Sequence, residues 1–226
     1  ETIVIFMSDI GGIVRLWDMT PLRSGKGSEY EGGFRLPLIV HWPSKVAAGQ
    51  VIDKPVHIID LYPTFMEIAV GDAGSHHLDG ASILPLIDGR GGFDRDAIYM
   101  HTPLYIPHYK KTPSSLIRTD DYKLIYFHGD YLHESDYDKV IPGERYELYR
   151  INEDISEQNN LAEAMPEKTA ELKAKLHAWL EETGAQMPVI NPDFDLDNWQ
   201  FRTSARVDYQ GNVIPQEVSN ARKKKK

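Results

Sequence analysis

Lys26 stands between Gly25 and Gly27 in the stretch Leu22-Arg23-Ser24-Gly25-Lys26-Gly27-Ser28-Glu29-Tyr30-Glu31-Gly32-Gly33-Phe34-Arg35-Leu36-Pro37. Glycine lets the backbone bend sharply and approach a ligand closely. An ammonium group with three donors suits an oxyanion such as sulfate or phosphate. The pattern is not a Walker loop, which needs a glycine five positions before Gly25 and Ser or Thr after the lysine. Those positions hold Thr20 and Gly27. The alternative for Lys26 is an exposed loop lysine, the usual fate of this residue type. Asp9, in Ser8-Asp9-Ile10-Gly11-Gly12, is the second candidate. A carboxylate at a strand end suits a hard cation that takes oxygen ligands, such as calcium; the alternative is a turn-capping aspartate. The third group is Tyr105-Ile106-Pro107-His108-Tyr109-Lys110-Lys111. His108, Tyr109 and the basic pair can grip an anionic sugar, or form a surface loop with half-buried aromatics. His101 is a weaker candidate. His76-His77, and His133 with the acids of Glu134–Asp138, read better as loops than as metal sites. No Ser-His-Asp arrangement is assignable, and the carboxylates show no pairing that would give general acid and base roles.

These residues need elements to hold them. Thr2-Ile3-Val4-Ile5-Phe6-Met7 is a short apolar run rich in β-branched residues, the pattern of a strand buried on both faces in a parallel sheet. It places Asp9 beyond a strand's carboxyl end, where open α/β sheets bind ligands. Leu36–Trp42 reads as a second strand, closed by Pro43. Asp60 is expected to cap a helix over Leu61–Val70 with Leu61, Phe65 and Ile68 on one face and Gly71 as its stop. Leu78–Ile87 reads as a short helix, and Arg90-Gly91-Gly92 as a boundary. Beyond it come a strand over Ala97–His101, a hairpin of Ser115–Arg118 with Tyr122–Phe127, and a strand at Glu147-Leu148-Tyr149. A helix opens at Pro166 and ends at Gly184, with Leu172, Leu176, Trp179 and Leu180 on one face. Short strands plus one helix predict an antiparallel sheet packed on a helix. From Asn191 the patterns fade. The division is 1–92, 93–190 and an extended tail, 191–226, with a basic end.

The bulk numbers narrow the function classes. The 226 residues are 41% hydrophobic and 26% charged, as in a soluble globular protein. No apolar run approaches the ~18 residues of a membrane span. Net charge is −9, and five of the 25 basic residues are the last five, Arg222 to Lys226, so the body of the chain is more acidic still. An acidic body argues against nucleic-acid binding, which wants a basic face. There is no cysteine, which removes disulfides, thiolate metal sites and a thiol nucleophile. The chain opens directly in a strand-like run, which reads as a truncated beginning.

The stretch from Leu22 to Pro37, together with Phe6-Met7-Ser8-Asp9-Ile10-Gly11-Gly12, resembles the second half of a type I sulfatase of the alkaline-phosphatase superfamily. That family reads S-D-N-G-G, then L-R-G-G-K-G-x-x-Y-E-G-G-x-R-V-P. Leu78–Ile87 resembles its D-G-x-S-L-L-P-L-L segment. Glu147–Leu161 resembles its E-L-Y-D-L-x-x-D-P-x-E-x-x-N-L run, with Ile155 in place of proline. The resemblance runs from Thr2 to about Asp195. It implies an α/β fold: part of a sulfatase α/β sheet, followed by a small C-terminal antiparallel sheet packed on a helix. It implies a sulfuric ester hydrolase acting on a sulfated carbohydrate or aryl sulfate, periplasmic or secreted. Lys26 then matches the sulfate-binding lysine and Asp9 a calcium ligand, while Ile10 replaces the Asn or His that completes the site. The family's formylglycine nucleophile, made in a C/S-x-P-x-R motif, is absent. Met19-Thr20-Pro21-Leu22-Arg23 has only the P-x-R skeleton and reads as a coincidence. Alone, the chain is expected not to turn over. A catalytically dead binding module for sulfated glycans is the alternative, as is a phosphatase or phosphonate-ester hydrolase of the same superfamily.

Overall fold

The computed structural model describes residues 2–14, 16–71, 77–93, 95–106, 111–132, 140–141, 143–189, 192, 206–207 and 213–214. His108 and Tyr109 lie outside the described residues, as do His76, Lys110, His133, 134–138 and 223–226.

Strand β1 (Val4–Met7) leads into the glycine-rich segment, whose single helical turn is α1 (Glu31–Phe34), and then into β2 (Leu38–His41). The two strands pair antiparallel, with Phe6 opposite Ile39 and Met7 opposite Leu38. Burial on both faces, expected from the apolar run, is not what forms. Val4, Phe6 and Ile39 are exposed, Phe6 by 61%, while Ile5, Met7 and Val40 are half-buried. The β-branched composition favours extended backbone, but which faces are covered depends on what packs there.

Further on, a 3-10 turn (Ile58–Asp60) runs into α2 (Leu61–Val70), which stops at Gly71 with φ of 86°. Asp60 does not cap α2 through its side chain. Its buried carboxylate instead accepts from the amides of His57 at 2.7 Å and Ala81 at 3.0 Å and is paired with Arg95. The buried residues of α2 are Pro63 and Thr64, not the expected Leu61, Phe65 and Ile68; Phe65 is exposed. Thr64 Oγ1 donates to Asp60 O at 2.6 Å and accepts from Ile83 N at 3.0 Å. The helix is docked through polar groups, so hydrophobic spacing misplaced its inner face. Within Leu78–Ile87 only α3 (Leu84–Ile87) is helical.

The second half is built on one sheet. Strands β3 (Ile98–Thr102), β4 (Ser114–Arg118) and β5 (Tyr122–Phe127) are followed by a side hairpin of β6 (Tyr131–Leu132) and β7 (Val140–Ile141). Strand β8 (Arg145–Arg150) then completes a four-stranded antiparallel sheet in the order β3-β4-β5-β8. Helix α4 (Pro166–Glu182) crosses one face, and the short strands β9 (Arg206–Val207) and β10 (Val213–Ile214) pair with each other. Alternate residues of a strand point to opposite faces, and here both faces are buried. Ile117, Leu124, Tyr126 and Leu148 pack under Leu172, Leu176 and Leu180 of α4. Leu116, Ile125, Phe127 and Tyr149 pack against Tyr30 and Phe34 of the glycine-rich segment. Each of these aliphatic side chains contributes about 1.5–3 kcal/mol on burial. The expected hairpin, flanking strands and α4 all form, and the sheet lies between the helix and the loop that carries Lys26.

Candidate functional site

The turn after β1 and the Lys26 loop are joined through their backbones. Gly11 N donates to Gly33 O at 3.0 Å, and Lys26 N donates to Gly12 O at 2.8 Å. A Cβ on Gly11 would overlap the carbonyl oxygen of Gly32, and one on Gly25 the carbonyl oxygen of Gly12. Side chains at these positions would force the two segments apart, so glycine is what permits the contact. The loop closes on itself through Gly32 N donating to Arg23 O at 2.9 Å and Ser28 N donating to Gly25 O at 3.0 Å. Ser24, where the resemblance expects glycine, has φ of 60°, a left-handed conformation that glycine adopts without penalty. Asp9 sits exposed in the turn, where Ser8 Oγ donates to Ile10 O at 3.1 Å. The backbone thus brings the turn of Asp9 and the loop of Lys26 together. Lys26 is half-buried, and among the described residues no carboxylate is paired with its ammonium group.

The loop's other charges are engaged by the sheet. Arg23 Nη1 donates to Glu157 O at 2.7 Å and Tyr149 Oη at 3.0 Å, and its guanidinium lies 3.6 Å over the Tyr30 ring. The P-x-R skeleton ending at Arg23 is therefore an anchor to the sheet. Glu29 accepts from Lys111 Nζ at 2.7 Å and Ser114 Oγ at 2.8 Å. Tyr30 Oη donates to Glu147 at 2.8 Å. Glu31 pairs with Lys123 and with Arg35, each at 3.3 Å, and its amide donates to Glu157 Oε2 at 2.6 Å. Lys123, fully buried, donates to Glu157 Oε1 at 2.7 Å. Burial pushes the Glu157 carboxyl up, opposed by Lys123, and pushes the Arg118 guanidinium down, opposed by Glu31. Burial and the neighbouring Glu147 raise Tyr149, which keeps its hydroxyl proton for donation to that carboxylate at 2.7 Å.

Lys111 therefore does not form a free basic pair for a sugar: it is buried against Glu29. His101 joins a relay on the other face of the sheet, its Nδ1 2.7 Å from Ser115 Oγ and its Nε2 3.0 Å from Gln186 O. Ser115 Oγ also lies 2.7 Å from His128 Nε2. His77 is exposed. Sequence reasoning missed Glu157, Lys123 and Arg118. Lys123 carried a signal, since a lysine inside the apolar strand Tyr122–Phe127 implies a buried partner.

A calcium shell does not fit the described residues. Asp9 offers one carboxylate, Ile10 offers no side-chain ligand, and among the described residues no three His, Asp or Glu side chains cluster to hold a metal.

The chain matches the family described as N-sulphoglucosamine sulphohydrolase, C-terminal, over residues 25–186. A sulfatase of Formosa agariphila is 34% identical over 201 residues, covering 82% of this chain and 34% of that protein. Ps i-CgsB superposes with a TM-score of 0.62 at 29% identity, covering 78% of this chain and 36% of the other; it has also been solved with k-i-k-neocarrahexaose. BT4656, solved with its substrate D-glucosamine-2-N,6-O-disulfate, gives a TM-score of 0.56 at 26% identity, over 82% and 35% of the two chains. The chain spans about a third of the length of the curated relative from Formosa. The glycine–lysine loop, the sheet beneath it and the match across residues 25–186 agree: the chain belongs to the N-sulphoglucosamine sulphohydrolase C-terminal family of the sulfatases.

Proposed function

We propose that this chain is the lysine-bearing portion of a sulfuric ester hydrolase that acts on a sulfated carbohydrate. Lys26 binds the sulfate group and stabilises negative charge on the bridging oxygen as the sulfur–oxygen bond breaks, a task suited to a fixed cation shielded from water. The observation that carries this reading is a half-buried lysine with no acid partner among the described residues, in a loop whose neighbouring cations are all engaged. Two solved neighbours are complexes, one with D-glucosamine-2-N,6-O-disulfate and one with k-i-k-neocarrahexaose, which supports a sugar as the group bearing the ester. His108 and Tyr109 belong to the wall that meets the sugar in this reading. The nucleophile is not within these 226 residues, which contain no C/S-x-P-x-R motif. Asp9 offers one carboxylate to a cation, and because no further ligands cluster with it among the described residues, no step is assigned to a metal.

Calorimetric titration of the chain with glucosamine 6-sulfate, glucosamine and inorganic sulfate tests the reading. The sulfated sugar is expected to bind more tightly than the plain one, and Lys26→Ala to weaken it by roughly tenfold or more, the loss of a charge-assisted hydrogen bond. Equal binding by wild type and Lys26→Ala would overturn it. A non-hydrolytic glycan-binding module is the second reading, favoured by Ile10. Joining the chain to a segment that carries a C/S-x-P-x-R motif separates the two: sulfate release supports the hydrolase, and binding without release supports the module.

A further inference from the structure

Glu157 lies in the Glu147–Leu161 run, far from Lys26 in sequence, with φ of 53°. Three of its atoms hold the Lys26 loop. Its carbonyl accepts from Arg23 Nη1 at 2.7 Å, at one end of the loop. Its Oε2 accepts from Glu31 N at 2.6 Å, at the other end. Its Oε1 accepts from Lys123 Nζ at 2.7 Å, inside the sheet, and Lys123 in turn reaches Glu31. Residues 23 and 31 bracket Lys26, and Arg23 O with Gly32 N closes the loop between them. Both ends of the lysine loop are thus fastened to one fully buried residue.

The local geometry that presents Glu157 is itself built by polar caps. Asp154 accepts from the amides of Gln158 at 3.1 Å and Asn159 at 2.8 Å. Asn160 Oδ1 accepts from Leu148 N at 2.9 Å, fastening the turn to β8. A left-handed non-glycine residue is strained and persists where its surroundings over-determine it.

We propose that Glu157 is a positioning residue, a clamp through which the C-terminal sheet sets the location of the Lys26 ammonium group. The proposal rests on the reading of Lys26 as the sulfate ligand, but its main readout does not. A residue that only neutralised Lys123 would be replaceable along with it. A clamp is not, because the amide of Glu31 needs a side-chain acceptor at that point.

The test uses the 226-residue chain as Glu157→Met, which removes the side-chain acceptor, and as the double variant Lys123→Met/Glu157→Met, which removes both buried charges at similar volume. Such replacement of a buried pair often restores stability. Amide hydrogen exchange is followed across the chain, with urea unfolding and calorimetric binding of inorganic sulfate in parallel. Glu157→Met is expected to speed exchange at Gly25–Gly33 by roughly tenfold, about the loss of one charge-assisted hydrogen bond, with β4 unchanged. Sulfate binding weakens by a similar factor. In the double variant the urea midpoint recovers while the loop stays fast and sulfate binding stays weak. Uniform loosening of sheet and loop, an unchanged loop, or recovery of loop protection in the double variant would each overturn the clamp. Failure of the wild type to bind sulfate would instead overturn the role of Lys26, and the exchange data would still decide the clamp. If Glu157→Met does not fold, the double variant decides alone.

Discussion

Three lysines of one residue type have three fates here, and only their partners separate them. Lys123 is buried between Glu31 and Glu157, Lys111 is buried on Glu29, and Lys26 is half-buried with no acid partner among the described residues. The glycines beside Lys26 made it legible as a site in the sequence. The acids that take Lys111 and Lys123 lie 82, 92 and 34 positions away, a pairing no local pattern carries. Ser24 shows how a departure from the family pattern becomes a backbone statement. At φ of 60° a serine bears a strain that glycine does not, partly offset by glycine's greater freedom in the unfolded chain. Ser24→Gly is therefore expected to raise stability by about 0.5–1 kcal/mol, read as a higher urea midpoint at unchanged slope. An equal or lower midpoint would show that the serine's own contacts outweigh the strain.

Among the elements, the joint between the β1 turn and the Lys26 loop is made of main chain alone. Gly25→Ala sets a methyl group into the Gly12 carbonyl that accepts from Lys26 N. Gly25 has no positive φ to lose, so the effect is steric, and the lower unfolded-state entropy of alanine works against it. The variant is expected to lose about 1–3 kcal/mol in urea unfolding, the cost of overpacking, and to expose the Lys26 amide to exchange. The four-stranded sheet was legible because its hairpin has a polar turn at Thr119-Asp120-Asp121 and its strands are rich in β-formers. Its two-sided burial was less so. The second cover is the glycine-rich loop, which has no period of its own, with Tyr30 and Phe34 as its large apolar anchors on that core. Helix α2 fails in the opposite sense: its spacing announces an apolar face, but the Asp60–Arg95 pair and Thr64 decide which side turns inward.

For the whole molecule, pH acts through the face of the sheet under α4. The Gln186 carbonyl can only accept, so His101 Nε2 carries a proton and its Nδ1 accepts from Ser115 Oγ. Ser115 then accepts from His128 Nε2–H, which leaves His128 Nδ1 a bare buried acceptor, and that atom has no partner among the described residues. Burial, with His101 and His177 nearby, pushes His128 down to about 4. The neutral ring therefore supports the fold fully above its ordinary value of 6.5, and this support fades as pH falls toward 4. Glu157, pushed up by burial, acts with the opposite sign. The contribution of His128 is isolated by comparing wild type with His128→Gln from pH 7.5 to 4.5. The urea midpoint of wild type is expected to exceed the variant's most at the high end, the gap narrowing toward pH 4.5; a gap independent of pH would refute the assignment. At the same scale, Val4, Phe6 and Ile39 give the β1–β2 pair an exposed apolar face. By itself the sequence determined the family, the glycine–lysine loop, the hairpin and α4, because turn chemistry, glycine freedom and helical period are local. Only the tertiary structure decided that the loop rests on the sheet, that Lys26 is left unpaired among the described residues, and that Glu157 fastens both loop ends, because buried charges choose partners by proximity in space.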